Sequence, residues 1–259
     1  MNKQQVLDRL NPLFLQGIAH RGLHDKEGKI PENSIAAFRL AMENNLPIEL
    51  DVHLTLDKKL VVFHDSDMKR MTGMNGIIEN LTVEDLKSFH LPNGETPPLF
   101  ETVLEMIDEK VPLVIELKVY KRNYRKLAKA VMEMLNKHVK DPKNYMLISF
   151  DPRSLWPLKK LGIIRSLLVS YLKENRYVYR YRHTVESVDL DYNFFQREKY
   201  QRYVRKHFVN AWTVEDKETL TWIHPYVDTV TFQYIDKETV KEVLNFSKVI
   251  RGRGREYYE

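Results

Sequence analysis

Short apolar runs with the two-residue period of strands alternate along this chain with stretches whose apolar residues recur at helical spacing, and the connections between them are short. Strands separated by helices are laid parallel, so the order predicts a parallel α/β fold of repeated βα units. The strand-like runs are Gly17–His20, Ile48–Val52, Leu60–His64, Leu113–Leu117, Tyr145–Phe150, Arg165–Val169, Val188–Tyr192, Val209–Thr213 and Val227–Phe232. Helical spacing covers Ser34–Asn45, Tyr124–His138, Glu198–His207 and Lys237–Phe246, with Ser34 as an N-cap and Lys121–Tyr124 as an entering loop. Gln4–Phe14 reads as a short helix beneath the first strand. The alternation breaks over Ser66–Pro97, which has no long apolar strand but carries Gly73, Gly76, Pro92, Gly94 and Pro97, and reads as an insertion.

A length of 259 residues suffices for a full core, and one domain over residues 1–259 is the expectation. With 43% hydrophobic and 30% charged residues the composition is that of a soluble globular chain. No segment approaches the roughly 18 apolar residues of a membrane span, and Met1–Asp8 lacks the apolar centre of a secretory signal. The absence of cysteine excludes disulfides and thiolate metal sites. A cytoplasmic location fits these features.

The net charge of +5 is concentrated between Lys173 and His207, where nine Lys or Arg face five Asp or Glu. Basic and aromatic residues interleave from Arg176 to Arg182. The arginines are too few for a nucleic-acid track, so no nucleic-acid partner is expected. A solvated face is the first reading of this stretch, and a peripheral membrane contact is the second.

The chemistry concentrates earlier. Two histidines end apolar runs and each precedes a charged residue, in Ile18-Ala19-His20-Arg21-Gly22 and Leu60-Val61-Val62-Phe63-His64-Asp65. Between them, Ile48-Glu49-Leu50-Asp51-Val52-His53 alternates carboxylates with apolar residues, so Glu49 and Asp51 share one strand face. Two histidines, two carboxylates and Arg21 together suggest acid–base chemistry at a metal-held anion.

These motifs, with Pro31-Glu32-Asn33-Ser34 before the first long helix and Ile115-Glu116-Leu117-Lys118 further on, occur in an ordered set that resembles the glycerophosphodiester phosphodiesterase family. Arg70 with Thr72-Gly73, Pro98-Leu99-Phe100-Glu101, Ser149-Phe150 and Ala211-Trp212-Thr213-Val214 continue the likeness, which spans about residues 17–235 and is densest up to Lys118. The resemblance implies a TIM (β/α)8 barrel with a small insertion after the third strand, near residues 66–97, roofing the active site. Nine strand-like runs compete for its eight places, so one is peripheral.

In such a barrel, strand ends converge on one mouth. Glu49, Asp51 and Glu116 are then the metal ligands, and oxygen-only ligation calls for one hard divalent cation, Mg²⁺ or Ca²⁺. The alternative, that these acids merely pair with Arg21 and Lys118, leaves carboxylates crowded together. Arg21 and Lys118 hold phosphate, while His20 and His64 move protons, with acid and base unassigned. Trp212 and Phe150 are candidates for the substrate wall, with a place in the core as the second reading of each. Glu32 and Asn33 stand either as helix-start residues or as support for the ligands. His53, sharing the parity of Glu49 and Asp51, is assigned to the pocket wall, with ligation as its second reading. His24, His90, His138, His183, His207 and His224 match no motif and are assigned to the surface.

The implied reaction is hydrolysis of glycerophosphodiesters, small-molecule substrates, to sn-glycerol 3-phosphate and an alcohol. A lysophospholipase D-type activity at a membrane and a non-catalytic phospho-ligand-binding barrel are the alternatives. One departure stands out: Thr231-Phe232-Gln233-Tyr234 replaces the family's acidic end of the last strand.

Overall fold

The computed structural model describes residues 1–171 and 181–253, with side chains as far as residue 245. Its strands, in chain order, are β1 (Ile18–Ala19), β2 (Ile48–Leu54), β3 (Leu60–Val62), β4 (Leu113–Leu117), β5 (Tyr145–Ser149), β6 (Ile164–Val169), β7 (Ser187–Asp191), β8 (Val209–Val214) and β9 (Thr229–Phe232). All but β3 pair in parallel, in the order β1-β2-β4-β5-β6-β7-β8-β9, and β9 returns to β1 through the register Ile18 with Thr231. The result is a closed eight-stranded barrel.

The peripheral run is therefore Leu60–His64. Its strand β3 lies antiparallel on β2, with Val52 opposite Val62, so the end of β2 and β3 form a hairpin above the barrel rim. The hairpin brings the chain back down to the mouth, where Phe63 N donates to the Asp51 carbonyl at 3.0 Å. The excursion continues through the helices Lys69–Thr72 and Val83–Leu86 to the helix Phe100–Ile107. Its helices are too short to be stable alone. Phe63, Met68, Ile78, Leu86, Phe89 and Leu91 give the insertion its own apolar cluster.

Strand alternation divides the core in two. Leu50, Val52, Ile115 and Leu117 face outward against the helices, and Phe100, Val103, Leu104 and Ile107 of the helix Phe100–Ile107 meet that layer from the opposite side, at the i, i+3, i+4, i+7 spacing of one helix face. The lumen is filled by Ile18, Val114, Met146, Ile148, Ile164 and Leu168. Its lower end is plugged by Val6, Leu10 and Phe14 of the N-terminal segment. That segment is not the single helix expected over Gln4–Phe14. Lys3–Leu7 is α-helical and Pro12–Gln16 is a 3₁₀ turn, because Pro12 lacks the N–H that a continuing helix needs and opens the new turn after the Asn11 cap. Elsewhere the helix from Tyr124 to His138 has the expected bounds, and Ser34 caps the helix Ile35–Glu43 by accepting from Ala37 N at 3.0 Å.

Candidate active site

Neighbouring strands in register present paired residues on the same side, and Asp51 of β2 is the direct partner of Glu116 of β4. Glu49 lies two residues earlier on the same face of β2. The three buried carboxylates thus offer oxygen atoms that all lie within 4.8 Å of one another at the mouth. Positive charge is packed around them. Lys118 Nζ is 2.9 Å from Glu116 Oε1 and 3.1 Å from Asp51 Oδ1, and Arg21 Nε is 3.5 Å from Asp51 Oδ2. Arg21 also donates its backbone N–H to Glu49 at 3.0 Å, which its left-handed backbone (φ 52°) permits. Asn33, likewise left-handed, donates Nδ2–H to Asp51 Oδ2 at 2.8 Å.

Three acids and two cations leave the cluster one positive charge short. Burial first, then Asp51 and Glu116, hold the Glu49 carboxyl well above its usual range, and burial with Asp51 pushes Glu116 up to about 7 despite Lys118. Burial would raise Asp51 too, but Lys118, His64, Arg21 and the Asn33 hydrogen bond hold it well below the usual range. Buried oxygens crowded in this way suit a hard divalent cation, which would offset their repulsion. The buried Nε of Arg21 has no hydrogen-bond partner, and a bound oxyanion would satisfy it.

The two histidines reach the mouth by different routes. His20 follows β1 directly, and its Nδ1 lies 2.6 Å from Gln233 Oε1 at the end of β9, across the seam that closes the barrel. Gln233 Nε2 donates to Glu215 at 2.6 Å, which turns the amide oxygen toward His20. A proton on Nδ1 then leaves Nε2, 4.0 Å from Glu49, as the free acceptor. Burial, followed by Arg21, pushes His20 down to about 3, so the ring is neutral. His64 arrives on the β3 hairpin. Its Nδ1 lies 2.7 Å from Asp65 Oδ1, Asp65 accepts from Arg70 Nε at 2.6 Å, and Arg70 Nη2 reaches Glu32 at 2.5 Å. Glu32 also accepts from Arg21 Nη1 at 2.8 Å, so the insertion and the barrel share one ion-pair chain.

Two connected cavities open here. The inner one, about 130 Å³, is walled by His20, Ile148, Leu168 and Trp212, and its floor includes Asp189 and Thr231. Asn210 bonds both floor residues at 2.8 Å. The outer one, about 480 Å³, spreads over the ends of β4 and β5, and the two share His64, Glu116, Lys118 and Phe150. Phe150 meets Trp212 edge-on with ring centres 5.6 Å apart, so both aromatic candidates lie at the mouth.

Glu32 and Asn33 both touch this cluster. His53 lines the outer cavity, but Nδ1 lies 2.7 Å from Glu79 and Nε2 3.0 Å from the His64 carbonyl. With both nitrogens engaged, it has none to offer a cation and instead braces the His64 loop. His24 is not a surface residue: it is 9% exposed, its ring centre 6.5 Å from that of His20. Sequence reasoning missed Gln233 as the partner of His20, although the departure at that position was its signal. It also missed Glu79 and the floor residues Asp189 and Asn210, for which local pattern held no signal. Most of the basic aromatic stretch, residues 176–180 of Arg176–Arg182, lies outside the described residues. No helix among the described residues is long and apolar enough to cross a membrane.

Comparison with known proteins agrees with this architecture. A structure of an Oleispira antarctica phosphodiesterase in complex with the product sn-glycerol-3-phosphate superposes with a TM-score of 0.77 at 25% identity, covering 93% of this chain and 99% of that one. A glycerophosphodiester phosphodiesterase from Parabacteroides distasonis gives 0.71 at 28% identity, covering 88% and 96%. Among curated proteins, a glycerophosphodiester phosphodiesterase of Caldanaerobacter subterraneus subsp. tengcongensis is 37% identical over 158 residues, 56% of this chain and 62% of that protein. One of Bacillus altitudinis is 38% identical over 115 residues, 41% and 46%. The chain spans about half the length of the curated relatives it matches. The sequence model of the glycerophosphoryl diester phosphodiesterase family matches residues 20–237. With most of the chain matched and a closed barrel carrying the motifs at its mouth, the protein belongs to the glycerophosphoryl diester phosphodiesterase family.

Proposed function

We propose that this protein hydrolyses glycerophosphodiesters to sn-glycerol 3-phosphate and an alcohol, with one divalent cation, Mg²⁺ or Ca²⁺, held by Glu49, Asp51 and Glu116. The observation that carries the reading is the convergence of these carboxylates, within 4.8 Å of one another, on a mouth flanked by two histidines and two fixed cations. When bound, the cation polarises a phosphoryl oxygen and offsets charge that grows on it. Arg21 holds the phosphate with its planar fork, and Lys118, at the end of β4 on the other side of β2, adds a point charge.

The two cavities divide the substrate. The small inner one, with Trp212 and Phe150 as its aromatic wall and Asp189 and Thr231 on its floor, takes the glycerol arm. The outer one takes the leaving alcohol. His20 lines the inner cavity and, being neutral with Nε2 free, accepts a proton from the nucleophile: either water, or a glycerol hydroxyl whose attack gives a cyclic phosphate that water then opens, with His64 taking the water's proton and His20 returning its own to the glycerol oxygen. His64 lines both and returns a proton to the departing alkoxide; burial lowers its pKa, and Asp51 and the Asp65 carboxylate at 2.7 Å partly offset that. Every proton taken at one face of phosphorus is matched by one given at the other.

A lysophospholipase substrate carries its acyl chain on the glycerol arm, and the inner cavity that takes this arm, at about 130 Å³ with Asp189 and Thr231 on its floor, is too small for a long acyl chain. A purely binding role leaves the histidine pair without a task. The test is to incubate the purified protein with a panel of glycerophosphodiesters and lysophospholipids, in chelator and with added Mg²⁺ or Ca²⁺, and to measure glycerol 3-phosphate. Cation-dependent release from glycerophosphodiesters is expected, and no release from any of them overturns the reading.

A further inference from the structure

We infer that the outer cavity selects a leaving alcohol bearing an anionic group, and that Lys121 is the residue that reads it; the inference rests on the phosphodiesterase reading above. A phosphate at the shared wall of His64, Glu116, Lys118 and Phe150 sends one ester arm inward and the other into the outer cavity, so the outer lining meets only the alcohol.

That lining is not electrically neutral. It carries three cationic side chains, Lys118, Lys121 and Arg153, against two carboxylates, Glu116 and Asp151. Two of the cations are already matched. Lys118 is held between Asp51 and Glu116, and Arg153 clamps Asp151 with nitrogens 2.6 to 3.2 Å from its oxygens. Arg153 is also fixed over the Tyr124 ring at 4.3 Å. Lys121 is the unmatched one. Its Nζ lies 4.8 Å over the ring of Tyr120, and no carboxylate among the described residues pairs with it.

The backbone singles out the same position. Lys121 is left-handed (φ 52°), a conformation disfavoured for any residue with a Cβ, in a turn pinned by Tyr120 N donating to Asn123 Oδ1 at 3.0 Å. The turn thus presents a lysine at the rim of the cavity where glycine would meet no strain. An ammonium head group entering there faces an excess of like charge. A head group with a carboxylate or phosphate gains a partner without breaking an existing ion pair.

The test compares glycerophosphoserine with glycerophosphoethanolamine, which differ by a single carboxylate, using the cation-loaded protein. The wild type should favour the serine compound in kcat/KM by about two- to fivefold, the effect of one partly exposed ion pair, and the preference should shrink as salt is raised. Lys121→Glu should reverse it. The ratio is internal to each preparation, so partial loss of folded protein cancels. Equal turnover of the two diesters, or a preference that Lys121→Glu leaves in place, overturns this inference alone. Hydrolysis of neither overturns the phosphodiesterase reading and this inference with it.

Discussion

Replacing Glu116 with Gln should stabilise the cation-free protein at alkaline pH while removing its response to cations. Glu116 is buried beside Asp51, and its carboxyl is pushed from the usual 4.5 to about 7. A carboxyl whose folded value lies above its unfolded value is held more tightly protonated in the folded state, so stability falls as pH rises from about 4.5 to about 7. At about 1.4 kcal/mol per unit, the penalty at pH 8 is on the order of 3 kcal/mol. The glutamine keeps an oxygen for Lys118 but no charge, so the variant should melt higher in chelator at pH 8, by several degrees at about 2–4 °C per kcal/mol for a chain of this size. The gain should vanish toward pH 4.5. A cation at 100 times its dissociation constant stabilises the folded state by about 2.7 kcal/mol. Wild type should therefore gain several degrees with excess Mg²⁺ or Ca²⁺, and Glu116→Gln should gain almost nothing. Thermal melts of both proteins, in chelator and in each cation, across pH 5 to about 8.5 decide the matter. A variant that melts below wild type in chelator at pH 8, yet still gains from the cation, would refute both the crowding argument and the ligand assignment.

His20→Ala and His64→Ala should each lower turnover by on the order of 10² to 10⁴ with melting behaviour retained, and a His64→Ala protein of near-normal activity on a glycerophosphodiester ends the acid assignment. Burial lowers His64 while Asp65 raises it, so Asp65→Asn should lower it further and move the alkaline limb of kcat/KM to lower pH; an unmoved limb shows that Asp65 does not tune the ring. Phe14→Ala empties the lower plug of the lumen, where the ring is fully buried, and should cost about 3–5 kcal/mol in denaturant unfolding. A loss under about 1 kcal/mol would mean that the plug contributes little to the core.

Much of this protein was legible in the chain before its structure. Alternation placed Glu49 and Asp51 on one face because the two-residue period of a strand is a local property of the backbone. Helical periodicity delimited Tyr124–His138 in the same way, and the ordered motifs carried the family and the barrel. What remained hidden was every relation set by closure and register. That Asp51 and Glu116 stand side by side follows from the pairing of β2 with β4, and the contact of His20 with Gln233 follows from the seam between β1 and β9. That His64 reaches the mouth on an antiparallel hairpin, outside the barrel's own strands, was equally invisible, since an apolar run has the same period whichever direction it pairs. The charge balance of the outer cavity belongs to the same class, because Lys121 lies in the turn after β4, Arg153 lies in the short helix after β5, and Asp151 cancels only Arg153. Local periodicity fixes which way a side chain faces along its own strand; only the closed sheet decides which other side chains it faces.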